Sequence, residues 1–188
     1  MFYYFIEERQ GNRYHNQIME IRKGEVQMKT IIVYTSKYGC TEKAADVLKS
    51  RMGGEVEVIN LRLAQEPSLR EYDTVILGGS IYYGKIQKEM TAFVNKVMPQ
   101  LASKRVGLFI CAGNKEQAAQ ELQTAFPEVL QQAAVATEVF GDEIYYNKLS
   151  LMDKFILRMV KGKEKEKSVS GLSLEKIEKF AQTMTSIN

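Results

Sequence analysis

The chain is poor in the residues that most often form crosslinks, bind metals or carry out acid–base chemistry. Its 188 residues include 3 prolines, 2 cysteines, 1 histidine and no tryptophan. Few prolines, with 45% hydrophobic and 26% charged residues, exclude a collagen-like or low-complexity chain. The cysteines lie far apart and have no histidine at ligand spacing, so the sequence predicts neither a disulfide framework nor a metal site.

Long apolar runs and targeting signals are also missing. No stretch approaches the roughly 18 uncharged apolar residues that a membrane-spanning helix needs. The beginning of the chain lacks the basic, apolar and small-residue regions of a secretory signal peptide. We therefore expect a cytoplasmic protein, and a length of 188 residues predicts one folded domain.

The net charge of +3 comes from one local feature. The window 148–167 holds seven basic and three acidic residues, and the rest of the chain is close to neutral. Nucleic-acid binders usually carry a basic field over a whole face, so we expect no nucleic-acid partner.

Residues 1–27 differ from the remainder of the sequence, because they are polar and aromatic without a sustained period. The run Arg22–Glu25, just before Met28, could be encoded by a purine-rich ribosome-binding sequence. We expect this leader to be extraneous, through a misplaced start codon, or else a flexible arm. Residues 28–188 would then form the domain.

From residue 29 short apolar runs alternate with longer amphipathic segments, a pattern typical of βαβ units. The predicted strands are 30–35, 56–60, 74–78, 105–111 and 135–140, and the predicted helices are about 41–52, 86–98, 115–131, 150–161 and 173–185. This pattern predicts an α/β three-layer sandwich with a mostly parallel sheet. Ligands of such folds bind beyond the carboxyl ends of the strands.

The first strand leads into a loop of small hydroxyl residues, Ser36 to Thr41, and then into a predicted helix. Backbone N–H groups and the helix dipole favour a phosphate at such a place. The loop is neither a Walker motif nor a Gly-x-Gly-x-x-Gly turn. The alternative is an ordinary turn in which Thr41 caps the helix.

Two further loops follow predicted strands at the same sheet edge. The run Gly78–Gly84 combines small residues, which would admit a ligand close to the backbone, with two tyrosines, against which a flat ring could stack. The alternative is a glycine turn whose tyrosines pack on neighbouring helices. The run Cys111–Lys115 is small and polar, which suits backbone hydrogen bonds to a heterocycle.

These residues carry a resemblance to known proteins. Residues 35–42 resemble the FMN-phosphate loop of flavodoxins, with Ser36, Gly39 and Thr41 at its hydroxyl and glycine positions. Residues 28–188 as a whole most resemble the flavodoxin-like, menaquinone-dependent protoporphyrinogen IX dehydrogenases. The specific points are Lys37 inside the loop, the run 79–85 and the block 145–162.

The resemblance implies a flavodoxin-like three-layer sandwich, with a five-stranded parallel sheet of order 2-1-3-4-5 and helices on both faces. It implies FMN as the cofactor, which carries the redox chemistry, so that no catalytic side chain is expected. The implied FMN-binding residues are Ser36, Lys37, Tyr38, Gly39, Cys40, Thr41, Ser80, Ile81, Tyr82, Tyr83, Gly84, Cys111, Ala112, Gly113 and Asn114. Within this set Tyr82 or Tyr83 would flank the isoalloxazine.

The function implied is an FMN-dependent oxidoreductase that passes electrons from a small-molecule substrate, a porphyrinogen, to a quinone. The alternative is a flavodoxin-type soluble electron carrier between protein partners, against which the net charge of +3 argues because such carriers are typically acidic. A receiver-type signalling domain would need an aspartate after the third strand, where this chain has Leu77-Gly78-Gly79. The relatives carry an extended loop after the fourth strand, whereas 114–132 reads here as an Ala/Gln-rich helix broken by Pro127.

The basic window contains an amphipathic pattern over 148–161, with apolar residues at three- and four-residue spacings. One interpretation is a helix packed on the domain with a solvated lysine-rich tail. The other is a peripheral membrane contact through 148–167 at the inner face of the membrane, where a quinone would be reached.

Overall fold

The computed structural model describes residues 28–113, 116–142, 150–154 and 171–186. The predictions for residues 1–27, for Asn114 and for most of the basic window lie outside these ranges. The strands are β1 (Lys29–Thr35), β2 (Glu55–Asn60), β3 (Thr74–Tyr82), β4 (Lys85–Ile86), β5 (Arg105–Cys111) and β6 (Ala136–Val139). The helices are α1 (Cys40–Arg51), α2 (Lys88–Leu101), α3 (Ala118–Ala125), α4 (Glu128–Ala133) and α5 (Leu174–Thr185).

The five longer strands form a parallel sheet in the order β2-β1-β3-β5-β6. This is the predicted order of five strands along the chain, and the predicted fold class is confirmed. The central strands are buried on both faces, because their apolar residues form continuous runs such as Ile31 to Val33.

A hairpin that the sequence reading missed extends the third strand. The predicted strand stopped at Gly78, but β3 continues to Tyr82 and pairs antiparallel with the two-residue strand β4. The turn between them is made by Tyr83 and Gly84, with φ of 51° and 73°. Two successive residues with positive φ favour a tight hairpin, so the run predicted to be a loop is mostly strand.

Helices cover both faces of the sheet and enclose two cores. On one face α2, α3 and α4 bury residues such as Phe93 and Leu130 against the sheet. On the other face α1 and α5 pack together, and Phe109, Phe140 and Phe180 form an aromatic cluster with ring centroids 4.7 to 6.4 Å apart. The helix predicted over 115–131 is two helices, since Pro127 precedes α4 at its N-cap.

The strand register places three loops at one edge of the sheet. Thr35 at the end of β1 lies opposite Gly79, and Ser80 lies opposite Cys111 at the end of β5. The loops that follow these three strands therefore begin next to one another, at the carboxyl ends of the strands. None of the helices in the described part of the chain is long and apolar enough to cross a membrane.

Candidate functional site

The loop after β1 is shaped by one glycine and one serine. Gly39 adopts φ of 96° at the N-cap of α1, a conformation that residues with a side chain rarely adopt. Its N–H donates to the Ser36 hydroxyl oxygen at 3.0 Å, and its carbonyl oxygen accepts from Lys43 N–H at 3.0 Å. The positive end of the α1 dipole therefore faces the loop that the sequence predicts to hold a phosphate.

Thr41 supplies a test of whether the loop fits a phosphate. The side chain is fully buried, and by distance and angle its hydroxyl oxygen has no hydrogen-bond partner among the described residues, although an interaction with it lowers the pKa of the Cys111 thiol. Leaving a buried hydroxyl unsatisfied costs about 1–3 kcal/mol, and a phosphate oxygen in this loop would supply the missing partner. The interpretation in which Thr41 caps α1 is wrong, because Gly39 occupies the cap and Thr41 lies inside the first turn.

The glycines of β3 serve packing inside the fold. A Cβ on Gly78 would stand 2.1 Å from the Phe109 ring, and one on Gly79 would stand 2.6 Å from Ile86. The expectation that these two glycines admit a ligand to the backbone is therefore wrong. Protein side chains already occupy that space.

The hairpin after them presents two tyrosines at the sheet edge. The rings of Tyr82 and Tyr83 have centroids 4.2 Å apart, and Tyr83 is 63% exposed. The Lys37 ammonium lies 3.4 Å from the centroid of the Tyr82 ring, within the range of a cation–π contact. Of the two rings, Tyr83 is therefore the one more open to a planar ligand.

The loop after β5 is partly committed to internal contacts. Ala112 N–H donates to the Gly141 carbonyl at 2.9 Å, so this amide does not face a ligand. A Cβ on Gly113 would stand 2.6 Å from the Asp142 carboxylate, which follows β6 and lines this loop. Ile81 lies within β3 opposite Ile86 and belongs to the hairpin.

The two cysteines are buried thiols in the same core. A hydrogen bond with Cys40 and complete burial raise the pKa of Cys111 well above its usual value. The Cys111 thiol therefore stays protonated near neutral pH, and its nucleophilicity is low.

An aspartate from the C-terminal segment 150–154 connects two of the loops. The Asp153 carboxylate is 9% exposed and accepts hydrogen bonds from Lys37 Nζ at 3.2 Å and from Ser150 Oγ at 2.7 Å. The hydroxyls of Tyr38 and Tyr82 also donate to it. We call these five residues the Asp153 cluster.

The cluster changes the protonation of its members. Burial opposes the charge on Lys37, but bonds with Tyr82 and Asp153 outweigh it and raise the pKa of Lys37. Burial also opposes ionisation of Tyr82, yet the bonds from Lys37 and Tyr83 lower its pKa. Lys37 is therefore a firmly charged ammonium held against a carboxylate and an aromatic ring.

Two more residues at this edge escaped the sequence reading. Arg62, just after β2, donates from Nη1 to the Ser36 carbonyl at 3.2 Å and lies 3.7 Å from Glu89. Gln87, at the N-cap of α2, accepts from the Thr35 hydroxyl at 2.6 Å and donates to the Ser80 hydroxyl. Each of them forms a hydrogen bond to another strand or to the loop after it. No local sequence pattern therefore marks Arg62 or Gln87.

The described residues thus place a loop with a helix N-terminus, two cations, an unpartnered hydroxyl and two tyrosines along one sheet edge. Such a set can bind a phosphate at one end and a planar ring at the other. Within the same described ranges, no group of three or more His, Cys, Asp or Glu side chains could hold a metal ion.

A comparison with known sequences agrees with this geometry, since residues 31–170 match the flavodoxin domain. The chain belongs to the flavodoxin domain family. This membership confirms the resemblance seen in the sequence and the cofactor that it implied, FMN.

One relative matches a part of the chain. The chain is 34% identical over 79 residues to the protoporphyrinogen IX dehydrogenase [quinone] of Escherichia coli strain K12. That match covers 40% of this chain and 44% of the relative, so it spans less than half of either protein.

Solved structures show the same fold. Flavodoxin 2 from Bacillus cereus matches with a TM-score of 0.55 at 24% identity, covering 83% of this chain and 97% of that one. A short-chain flavodoxin associated with a non-canonical PDU bacterial microcompartment matches with a TM-score of 0.56 at 14% identity, covering 84% and 96%.

Proposed function

We propose that this chain is an FMN-dependent oxidoreductase that takes electrons from a reduced small molecule, a porphyrinogen, and passes them to a quinone. The observation that carries the proposal is the 34% identity over 79 residues with a protoporphyrinogen IX dehydrogenase [quinone]. The cation Lys37 inside the phosphate loop agrees with the same branch of the family, whereas flavodoxins usually hold the phosphate without a cation.

The proposed contacts follow the three loops. Ser36, Lys37, Gly39, Cys40 and Thr41 would hold the phosphate, with Tyr38 beside them. The Thr41 hydroxyl supports this assignment, because it is buried and unpartnered. The positive end of α1 and the Lys37 ammonium would offset the phosphate charge.

The ring would lie beside the hairpin and the loop after β5. Tyr83 is the better candidate to flank it, since the Tyr82 ring already carries Lys37 on one face. The residues Ser80 to Gly84 and Cys111 to Asn114 would surround the ring, with the Ala112 N–H excepted because it bonds to Gly141. The redox chemistry is supplied by FMN when it is bound, so the protein has to bind, orient and shield it.

The proposal places the protein in the cytoplasm, at the inner face of the membrane that holds the quinone. In segment 150–154 the polar Asp153 faces the domain, while Leu151 and Met152 are 86% and 72% exposed. This orientation supports membrane contact through 148–167, since apolar residues are left outward beside a basic run.

A vesicle experiment tests the membrane contact. We expect replacement of Lys161, Lys163, Lys165 and Lys167 by glutamine to reduce co-sedimentation with anionic vesicles at low salt, because each cation near such a surface contributes about 1 kcal/mol. Replacement of Lys49, Lys96, Lys104 and Lys179 is the control with equal charge. If the two variants sedimented equally with the vesicles, the lysine-rich run would be a solvated tail and not a membrane contact.

The activity is tested anaerobically with the FMN-loaded protein. We expect protoporphyrinogen IX to bleach the flavin absorbance, and a menaquinone analogue to restore it with turnover. Bound FMN that does not respond to the porphyrinogen would refute this substrate. It would favour the alternative of a flavodoxin-type electron carrier between protein partners.

A further inference from the structure

Asp153 is a buried charge that the fold places against the phosphate loop from more than 110 residues away along the chain. Burying a carboxylate is costly unless it is paired and hydrogen-bonded. Here the hydrogen-bond donors come from two parts of the chain. Lys37 and Tyr38 belong to the loop after β1, and Tyr82 belongs to the end of β3.

The carboxylate is itself held firmly in place. Ser150 Oγ donates to Asp153 Oδ2 at 2.7 Å and accepts from the Asp153 N–H at 3.1 Å. This reciprocal pair fixes the aspartate in the first turn of the helical residues that begin at 151. The carboxylate is therefore held by its own segment as well as by the loop that it binds.

Lys37 is held on two sides by the cluster. Its ammonium lies 3.2 Å from Asp153 Oδ2 and 3.4 Å from the centroid of the Tyr82 ring. A lysine side chain has many rotamers. An unrestrained lysine therefore loses much conformational entropy when it binds a ligand. An ammonium has three donors, so Lys37 can keep its bond to Asp153 and still donate to a second anion.

We propose that Asp153 is a positioning residue that holds Lys37 at the phosphate loop, so that the ammonium is pre-arranged for the flavin phosphate. The inference rests on the proposed function of this edge as an FMN site. It assigns the segment 150–154, which lies between β6 and α5 along the chain, to the cofactor site. Asp153 acts through Lys37 and need not touch the flavin.

The test compares FMN with riboflavin, which lacks the phosphate. We expect Asp153→Asn to weaken FMN binding about tenfold, the effect of about 1.4 kcal/mol, and to leave riboflavin binding unchanged. In a Lys37→Met background the same substitution should have no further effect on FMN. Glu71→Gln is the matched control, because it removes one negative charge from an exposed site before β3, at the opposite edge of the sheet.

The protein without flavin gives a second readout. Thermal or urea unfolding of the wild type, the two single variants and the double variant forms a double-mutant cycle. We expect coupling of at least about threefold in the unfolding equilibrium constant between Lys37 and Asp153. This measurement does not depend on cofactor binding.

Several results would overturn the proposal. Equal weakening of FMN and riboflavin would mean that Asp153 only supports the fold, and an additive cycle would mean that it does not hold Lys37. Tighter FMN binding by Asp153→Asn would mean that the carboxylate competes with the phosphate for Lys37. A wild-type chain that binds neither flavin would refute the proposed function itself, and this inference with it.

Discussion

The guanidinium of Arg62 donates to the backbone carbonyl of Ser36 at 3.2 Å, which ties the chain after β2 to the phosphate loop after β1. Arg62 Nε also lies 3.7 Å from Glu89, in the first turn of α2. The arginine thus braces the loop between two neighbouring elements and adds a second cation near the proposed phosphate. Residues with this role are found by tertiary structure alone.

We predict that Arg62→Gln weakens FMN binding about three- to tenfold, because it removes the brace and a nearby positive charge. Quenching of FMN fluorescence on titration with apoprotein measures the dissociation constant. Arg70→Gln is the control, since Arg70 is exposed just before β3, away from the loop. If the Arg62 variant bound FMN with the affinity of the wild type, Arg62 would have no role in FMN binding.

Thr41→Val should separate binding from stability. The buried Thr41 hydroxyl has no hydrogen-bond partner in the part of the chain that the structure describes, so its removal is expected to leave the free energy of unfolding unchanged or to raise it by about 1 kcal/mol. FMN affinity should nevertheless fall at least about tenfold, because the proposed phosphate loses its donor. Chemical denaturation and fluorescence titration measure the two effects.

Thr74→Val provides the comparison for that pair of measurements. Thr74 begins β3 at the other edge of the sheet, and its hydroxyl is also buried without a partner among the residues described. We expect the same small gain in stability and no change in FMN affinity. Loss of stability without loss of FMN binding in Thr41→Val would contradict the role given to this hydroxyl.

Gly39→Val should damage the loop through its backbone. A residue with a side chain at φ of 96° costs roughly 1–2 kcal/mol, and the loop relieves that strain only by moving. Strong loss of FMN binding is expected, measured by equilibrium dialysis. Gly54→Val imposes comparable strain at φ of 83° in the turn before β2, and there binding should be retained.

Glu121 predicts a dependence of stability on pH. One of its carboxylate oxygens is buried without a partner, and burial raises the pKa of this group. A raised pKa in the folded state means that the charged form destabilises the fold, so stability is lost as the pH rises through that pKa. Glu121→Gln should therefore be more stable than the wild type at pH 7.

The same comparison at low pH supplies the control for Glu121. Below the pKa of the unfolded carboxyl both side chains are neutral, and the advantage of glutamine should disappear. Urea denaturation at pH 7 and at pH 3.5 measures the two differences. A gain that persists unchanged at the lower pH would rule out burial of the charge as its cause.

The sheet could be predicted because each of its strands is marked by its own local sequence. Continuous apolar runs such as Ile31 to Val33 mark buried parallel strands, and the segments between them mark the crossover helices. The hairpin at Tyr83 was missed because glycine runs were interpreted as a ligand loop. The pairing of Ile81 with Ile86 around Tyr83-Gly84 was a readable signal for it.

The site was predictable only where it follows the strands. Loops after β1, β3 and β5 meet at one edge by the rules of parallel sheets, so Ser36, Thr41 and Tyr83 could be identified. Arg62 follows β2, Gln87 precedes α2 and Asp153 lies between β6 and α5, and all three take part through side-chain contacts. Their roles depend on distances that no spacing along the chain encodes.

A titration of the purified, flavin-free protein with FMN and with riboflavin tests the central claim most directly. The account predicts that FMN binds at least about a hundredfold more tightly, because the loop from Ser36 to Thr41 recognises the phosphate that riboflavin lacks. Equal affinities for the two flavins, or no binding of FMN, would contradict the assignment of this sheet edge as the FMN site.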